Sequence, residues 1–399
     1  MGAIASALIL CGFLAVHIGA PWQYLHDDNG AFYSSVARSH LGKGLSATRG
    51  QDFLTERDTG ALRPYLHHPP LLGLYLAGVF RLLGGDSPGV ARTAMALLHL
   101  VSFFLFCATI RGVTRSPLVS TWCMLGFATV PMSSFFGKMP NHEPMSLAFV
   151  MLALFAYTRR REAGHGFLWL PVSFVAWALA VVSAWHATFI GVSLACYATW
   201  STRRQDRAYA AVALAAVLVT LGLVSAHLLW ANHGAPLPSQ RAALAYWIRG
   251  PRDVSSLGDM LSDLGRPLAH ARRFFNVPWF LAVAYWLRPL LPFTKSAIDP
   301  FVAASCTGTV LYWMCFHHAV SVHAYQLFFL LPGVLLASGL LLDDIVTAVR
   351  KTRPRAAMAI LLTAIALTVG CSVARLYKMY STPHTYAVQT TQSLSQRYL

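Results

Sequence analysis

The sequence predicts an all-α polytopic membrane protein, and three observations carry the prediction. Of its 399 residues, 56% are hydrophobic and 12% charged, with a mean hydropathy of +0.52; ordinary soluble domains carry about 25% charged residues. Windows of roughly 20 apolar residues, the length of a spanning helix, recur along the whole chain, so residues 1–399 read as a single membrane domain without a separate soluble core. The excess positive charge, +16, sits in short clusters between those windows. That placement suits anionic lipid head groups or a phosphate-bearing substrate and argues against nucleic acid. The seven cysteines fall within or beside apolar segments with no CxxC pair, so they read as free core thiols and not as disulfides or a zinc site.

Residues 2–20 form the first span; they lack the basic flank of a signal peptide. An external loop, 21–89, follows. Within it HDDNGAFYSSVAR starts at His26 and predicts an amphipathic helix over 31–41, and YLHHPPL ends in a rigid Pro69-Pro70 stop. The next apolar stretch, 71–85, has about 15 residues and carries Arg81. It is short for a crossing and is assigned to the interface as an amphipathic helix. With the N-terminus in the cytoplasm, further spans over 90–110, 117–136, 143–157, 167–184, 187–200, 208–230, 278–293, 298–316, 324–342 and 356–374 make about eleven crossings. The clusters Arg111/Arg115, Arg159–161, Arg203/Arg204/Arg207, Lys295 and Arg350/Lys351/Arg353/Arg355 then all face inward, as the positive-inside rule requires. Letting the short segment cross would put every one of them outside. The external face collects 21–89, 138–142, 185–186, the long loop 231–277, 317–323 and a short tail, 375–399. No internal repeat is visible.

Residues able to do chemistry gather on that external side. Asp27 and Asp28 precede the first-loop helix; one of Asp27, Asp28 and Asn29 suffices as an N-cap, which leaves a carboxylate for general-base or metal work. Glu143 lies in GKMPNHEP beside Lys138 and His142, at a helix start where a carboxylate also serves the dipole. Facing the same side as Asp28, it could share a divalent cation with it through oxygen ligands. His67, His68, His186 and His323, with Tyr325 at the head of a span, could contact a phosphate, a metal or a sugar hydroxyl. Their spacing is not that of a zinc site. Arg241, Arg249, Arg252, Arg266, Arg272 and Arg273 in the long loop suit a lipid phosphate or simply solvated charge.

Together these features resemble the C-type membrane glycosyltransferases, specifically the group of protein O-mannosyltransferases and the lipid A aminoarabinose transferase. The resemblance rests on Asp27-Asp28 after the first span, Ala37 and Arg38 in the following helix, HPPL at 68–71, Met139, Pro140 and Glu143 in the second external turn, and His323, Tyr325 and Pro332. It implies a polyprenyl-phosphate sugar donor and transfer to an acceptor hydroxyl, on a glycan, a lipid-linked glycan or a protein, at the periplasmic face of the inner membrane. Asp28 would be the general base, with Asp27 the alternative; Glu143 would position the acceptor or share a cation such as Mg or Mn. Arg38, Lys138, His67, His68, His142, His186, His323 and Tyr325 would bind substrate. Many members have Asp-Glu where this chain has Asp-Asp, and the spacing to Tyr33 and Arg38 differs by about one residue. Two other classes remain open: a transporter or flippase for a lipid-linked sugar, and a non-catalytic subunit of a glycosylation complex. A transporter places its ionisable residues near the membrane midplane, whereas here they lie in external loops.

Overall fold

A computed structural model describes residues 2–65, 68–162, 166–199, 204–231, 257–288 and 300–398. His67, Arg203, Arg241, Arg249, Arg252 and Lys295 lie outside the described residues. The chain is a helical membrane bundle. α1 (Gly2–Ala15) leads into the first loop, which contains α2 (Asp28–Thr48), strands β1 (Phe53–Thr55) and β2 (Leu62–Pro64), and α3 (Leu71–Leu83). Then come α4 (Pro88–Val113), α5 (Pro117–Thr129), α6 (Pro131–Ser134), α7 (His142–Glu162), α8 (Trp169–Ser183), α9 (His186–Thr199) and α10 (Arg204–Ala231). The second half holds α11 (Leu257–Phe275), α12 (Val277–Leu287), α13 (Pro300–Cys315), α14 (His317–Val322), α15 (Leu331–Arg350), α16 (Pro354–Ser381) and α17 (Thr385–Tyr398).

Local sequence sets several of these boundaries. Ser87-Pro88 and Ser116-Pro117 start α4 and α5 in the same way: the serine hydroxyl accepts from Val90 N or Val119 N at 3.3 Å, and proline occupies the first turn. Pro131 restarts the chain after extended Val130, bending it by 47° between α5 and the turns through Lys138. Arg159, Arg160 and Arg161 end α7, where cations favour the helix dipole. Among the described residues five helices are long and apolar enough to cross a membrane, or six if the bent pair is one span. The expected count of about eleven is not reached on that measure, because several expected spans fall on shorter helices. α3, at 13 residues, covers about 20 Å, short of a hydrocarbon core of about 30 Å.

The segment Ala324–Arg350, which includes α15, is the bundle's axis, 94% buried, whereas α16 is 22% buried and lies on the outside. Small residues allow the close approaches that lipid-embedded helices need. Gly339 lies against Trp122 and Gly126 against Leu335, and the Trp122 indole donates to Ser338 Oγ at 2.8 Å. Gly308 of α13 lies directly on the α9 backbone, where an added Cβ would stand 2.7 Å from Ile190 Cα. All seven cysteines are unpaired, but Cys11, Cys196, Cys315 and Cys371 are exposed on the outer surface and not in the core.

The first loop is a compact cap. α2 runs past the expected 31–41 in both directions and bends at Gly44, whose φ of 80° needs glycine. β1 and β2 pair antiparallel with Leu54 opposite Arg63. α3 packs on α2 at Gly73, the one residue small enough there: a Cβ would meet Val36 at 2.7 Å and Asp52 Oδ1 at 2.4 Å. The expected tail is a helix, α17, which folds back across α2.

Candidate active site

The two tandem aspartates have opposite fates. Asp27 occupies the N-cap position of α2 but makes no side-chain cap. Its Oδ2 turns back to accept from Gln23 N (3.0 Å) and Tyr24 N (2.9 Å) and from Arg92 of α4 at 2.9 Å. Arg92 is itself buried, donates to the carbonyls of His17, Ile18, Ala20 and Pro21, and stacks over Trp22 at 4.3 Å. Three donors thus converge on Oδ2 of Asp27, which holds the loop. Asp28, one residue on, is half-buried and its Oδ1 has no hydrogen-bond partner. Burial raises its carboxyl above the ordinary carboxylate range and the Asp27 charge adds to this, while its own backbone N–H and His384 pull the other way.

Glu143 begins α7, buried, with Oε2 unpartnered. Tyr325 connects the two acids: its ring lies within electrostatic reach of both Asp28 and Glu143, and its hydroxyl meets Asn29. Tyr65 and Tyr312 also lie within electrostatic reach of Glu143. His142, next in chain to Glu143, is fixed at both ring nitrogens. Nδ1–H donates to Ser183 O at 2.7 Å, so Nε2 must accept, and the Tyr33 hydroxyl donates to it at 2.7 Å. His68 stacks on His142 with centroids 4.5 Å apart. On the other side, His26 adopts φ 60° and packs edge-on against Tyr325 at 5.0 Å, with His323 5.9 Å away. A left-handed backbone at a non-glycine residue is costly and collects at functional sites. Burial lowers His323 to about 4 and His26 well below the ordinary value, so both rings are neutral donors or acceptors at neutral pH.

Asp28, Glu143, His68, His142, His323 and Tyr325 therefore share one neighbourhood, and three other candidates do not join it. Arg38 pairs with Asp86. Lys138 donates to Val16 O, lies 4.8 Å over the Tyr380 ring, and lines a cavity of about 10 Å³ with Asp27, Arg92, Tyr24 and His17, room for one water. His186 stacks on Tyr312 and Phe329, a step behind Glu143. Sequence reasoning missed His26, Tyr33, Tyr65, Asn29 and Arg92. Only Arg92 carried a signal, since a cation inside an apolar helix calls for a partner. Among the described residues no three of His, Cys, Asp and Glu converge to hold a metal. Two carboxylates fit a hard cation such as Mg²⁺ only if substrate phosphate oxygens and water supply the remaining ligands.

The family model for dolichyl-phosphate-mannose-protein mannosyltransferase matches residues 67–230, from HHPPL to the end of α10. ArnT from Cupriavidus metallidurans bound to undecaprenyl phosphate superposes with a TM-score of 0.60 at 14% identity, over 98% of this chain and 76% of that chain. The Archaeoglobus fulgidus oligosaccharyltransferase in the apo form gives 0.61 at 13% identity, over 96% of this chain and 56% of that one. The chain has the C-type glycosyltransferase fold. Archaeal AglB from A. fulgidus, in complex with an inhibitory peptide and a dolichol-phosphate, also shares this fold, with a TM-score of 0.60 at 12% identity, over 98% of this chain and 55% of that chain. Comparison with curated protein sequences returns no significant match. Within this fold the present chain spans about three quarters of the ArnT length and just over half of the oligosaccharyltransferase length.

Proposed function

We propose that this protein transfers a sugar from a polyprenyl-phosphate donor to an acceptor hydroxyl at the external face of the membrane, with Asp28 as general base. The observation that carries the reading is the division between the aspartates: Asp27 is consumed by Arg92 and two backbone amides, while Asp28 keeps an unpartnered oxygen beside Tyr325. Displacement at an anomeric carbon passes through an oxocarbenium-like state. The acceptor oxygen forms its bond to the anomeric carbon as its proton moves to Asp28, and the bond from that carbon to the donor's phosphate oxygen breaks, leaving the charge on the lipid phosphate. Glu143, held at a helix start with Oε2 unpartnered, orients the acceptor. His68, His323 and Tyr325 offer N–H and O–H donors to the phosphate and sugar, in a site where preorganised donors act most strongly, while His142, engaged at both ring nitrogens, supports His68 by stacking. Bound Mg²⁺ or Mn²⁺, held by Asp28 and Glu143 with the substrate's own oxygens, would neutralise phosphate charge. The acceptor reads as a glycan or lipid-linked glycan ahead of a protein.

The test is transfer in membranes holding defined polyprenyl-phosphate sugars. Asp28→Asn should lose transfer by about 10²- to 10⁴-fold, the usual weight of general-base catalysis, at native expression. If Asp28→Asn transfers normally, and sugar-lipid still moves across the bilayer, a flippase takes the place of this reading.

A further inference from the structure

α4 joins the two ends of the bundle. Its second turn anchors the acid-bearing loop through Arg92, and Arg111 stands 19 residues further along the same helix, about 29 Å away at a rise of about 1.5 Å per residue. That is the thickness of a hydrocarbon core, about 30 Å. Arg111 therefore lies at the membrane boundary opposite Asp28, whichever side of the cell that boundary faces. There the start of α1, the end of α4 and the start of α5 frame an open cavity of about 460 Å³, in which Arg111, Arg115, Thr114, Ser120 and Thr121 stand around Met124.

This basic pair differs from the cluster at the end of α7. Arg161 has Asp206 at 3.8 Å and Arg160 donates to Gly166 O at 3.3 Å. Among the described residues neither Arg111 nor Arg115, both exposed, has an ion pair or a side-chain hydrogen bond. Thr114 Oγ1 accepts from Ser116 N at 3.1 Å, which leaves its own proton free to donate. The surface beside the cavity turns apolar. Ile4 and Leu8 of α1 are each 68% exposed, and Leu97, Val101 and Phe104 form an exposed row on the Arg111 face of α4.

We propose that this cavity binds the headgroup phosphate of an anionic glycerophospholipid from the leaflet opposite the acid-bearing loop. Two guanidiniums and the hydroxyls of Thr114, Ser120 and Thr121 supply donors to phosphate oxygens, and no carboxylate lines the cavity to compete. The acyl chains continue along the exposed rows of α1 and α4. Position selects a lipid over a soluble anion: basic pockets between spanning helices at the membrane boundary meet headgroups where these are most concentrated. The bound lipid bridges α1, α4 and α5, and the far ends of α1 and α4 meet in the Arg92 anchor. This inference stands apart from the glycosyltransferase reading and uses none of its catalytic or substrate residues.

The experiment titrates the purified full chain, in neutral micelles, with phosphatidylglycerol, phosphatidylcholine or inorganic phosphate. Native mass spectrometry reads the lipid retained, and the thermal midpoint reads its effect on the fold. Phosphatidylglycerol should be retained and raise the midpoint, while phosphatidylcholine and inorganic phosphate do neither. Arg111→Gln and Arg115→Gln should each weaken phosphatidylglycerol binding about tenfold, the weight of one charge-assisted hydrogen bond. Both side chains are exposed and unpaired, so the lipid-free midpoint should stay native. Ser120→Phe, which fills the cavity and keeps both arginines, should weaken retention as well. Arg353→Gln/Arg355→Gln removes two exposed cations elsewhere and should bind like the native chain. Equal retention of phosphatidylcholine overturns the proposal, as does an equal loss in the Arg353→Gln/Arg355→Gln variant, which would make the attraction one of diffuse surface charge. A midpoint raised as far by inorganic phosphate makes the ligand a soluble anion and overturns it too.

Discussion

At the scale of single residues, the tandem aspartates should separate cleanly in experiment. Asp27→Asn leaves Arg92 as a buried guanidinium without its counter-charge, and breaking a buried pair costs about 3–5 kcal/mol. Its defect should therefore appear as a lowered melting temperature and poor yield, whereas Asp28→Asn should melt like the native chain and fail in turnover. The proposed base also fixes a pH dependence. The Asp28 carboxyl is raised by burial and must be ionised to accept a proton, so kcat should fall as pH drops through a midpoint above the usual aspartate value near 3.8, read from the acid limb of the pH–rate profile. Tyr33→Phe removes the hydroxyl that donates to His142 Nε2. A buried acceptor left unsatisfied costs about 1–3 kcal/mol, and transfer should drop about tenfold in a single-turnover assay if His142 must hold its ring in place. Little of this was legible beforehand. DD after a span announces a carboxylate to spare, but which one is spent depends on Arg92, 65 residues away.

At the scale of elements, hydropathy marked the long helices well, because it rests on local composition; the serine-proline starts of α4 and α5 are an equally local signal that the span reading did not use. The hairpin was invisible: its strands have three residues each, too short to show an alternating pattern. α17 was read as a tail because its mean character is polar; what makes it an element is the narrow apolar stripe of Ala387 and Leu394 docked on α2. Helix crossings are likewise set by single small residues that composition does not single out. Gly308→Ala would push a Cβ to 2.7 Å from Ile190 Cα, and backbone cannot yield as a side chain can, so it should destabilise by about 1–3 kcal/mol or more, seen as a lower thermal midpoint in detergent. Gly73→Ala presses on Val36 and Asp52 and should loosen α3 from α2, raising protease sensitivity of the first loop ahead of the bundle.

At the scale of the whole molecule, the proposed topology puts the charge clusters and the acidic loops on opposite faces. A cysteine placed at Asp58, on the exposed hairpin, should react with a membrane-impermeant maleimide from outside intact cells, while one at Arg353 should react only after permeabilisation; the reverse pattern would invert the proposed topology. The Arg92 knot carries a further meaning in time. Its guanidinium, four carbonyls from the end of α1 and the Asp27 carboxylate belong to segments that leave the ribosome about 70 residues apart. Until α4 has been inserted, the carbonyls after α1 have no donor and the loop has no anchor. The acid-bearing loop is therefore expected to stay open during synthesis and to set only when the following span arrives, so that a nascent chain has no assembled site before its second secured crossing is in place.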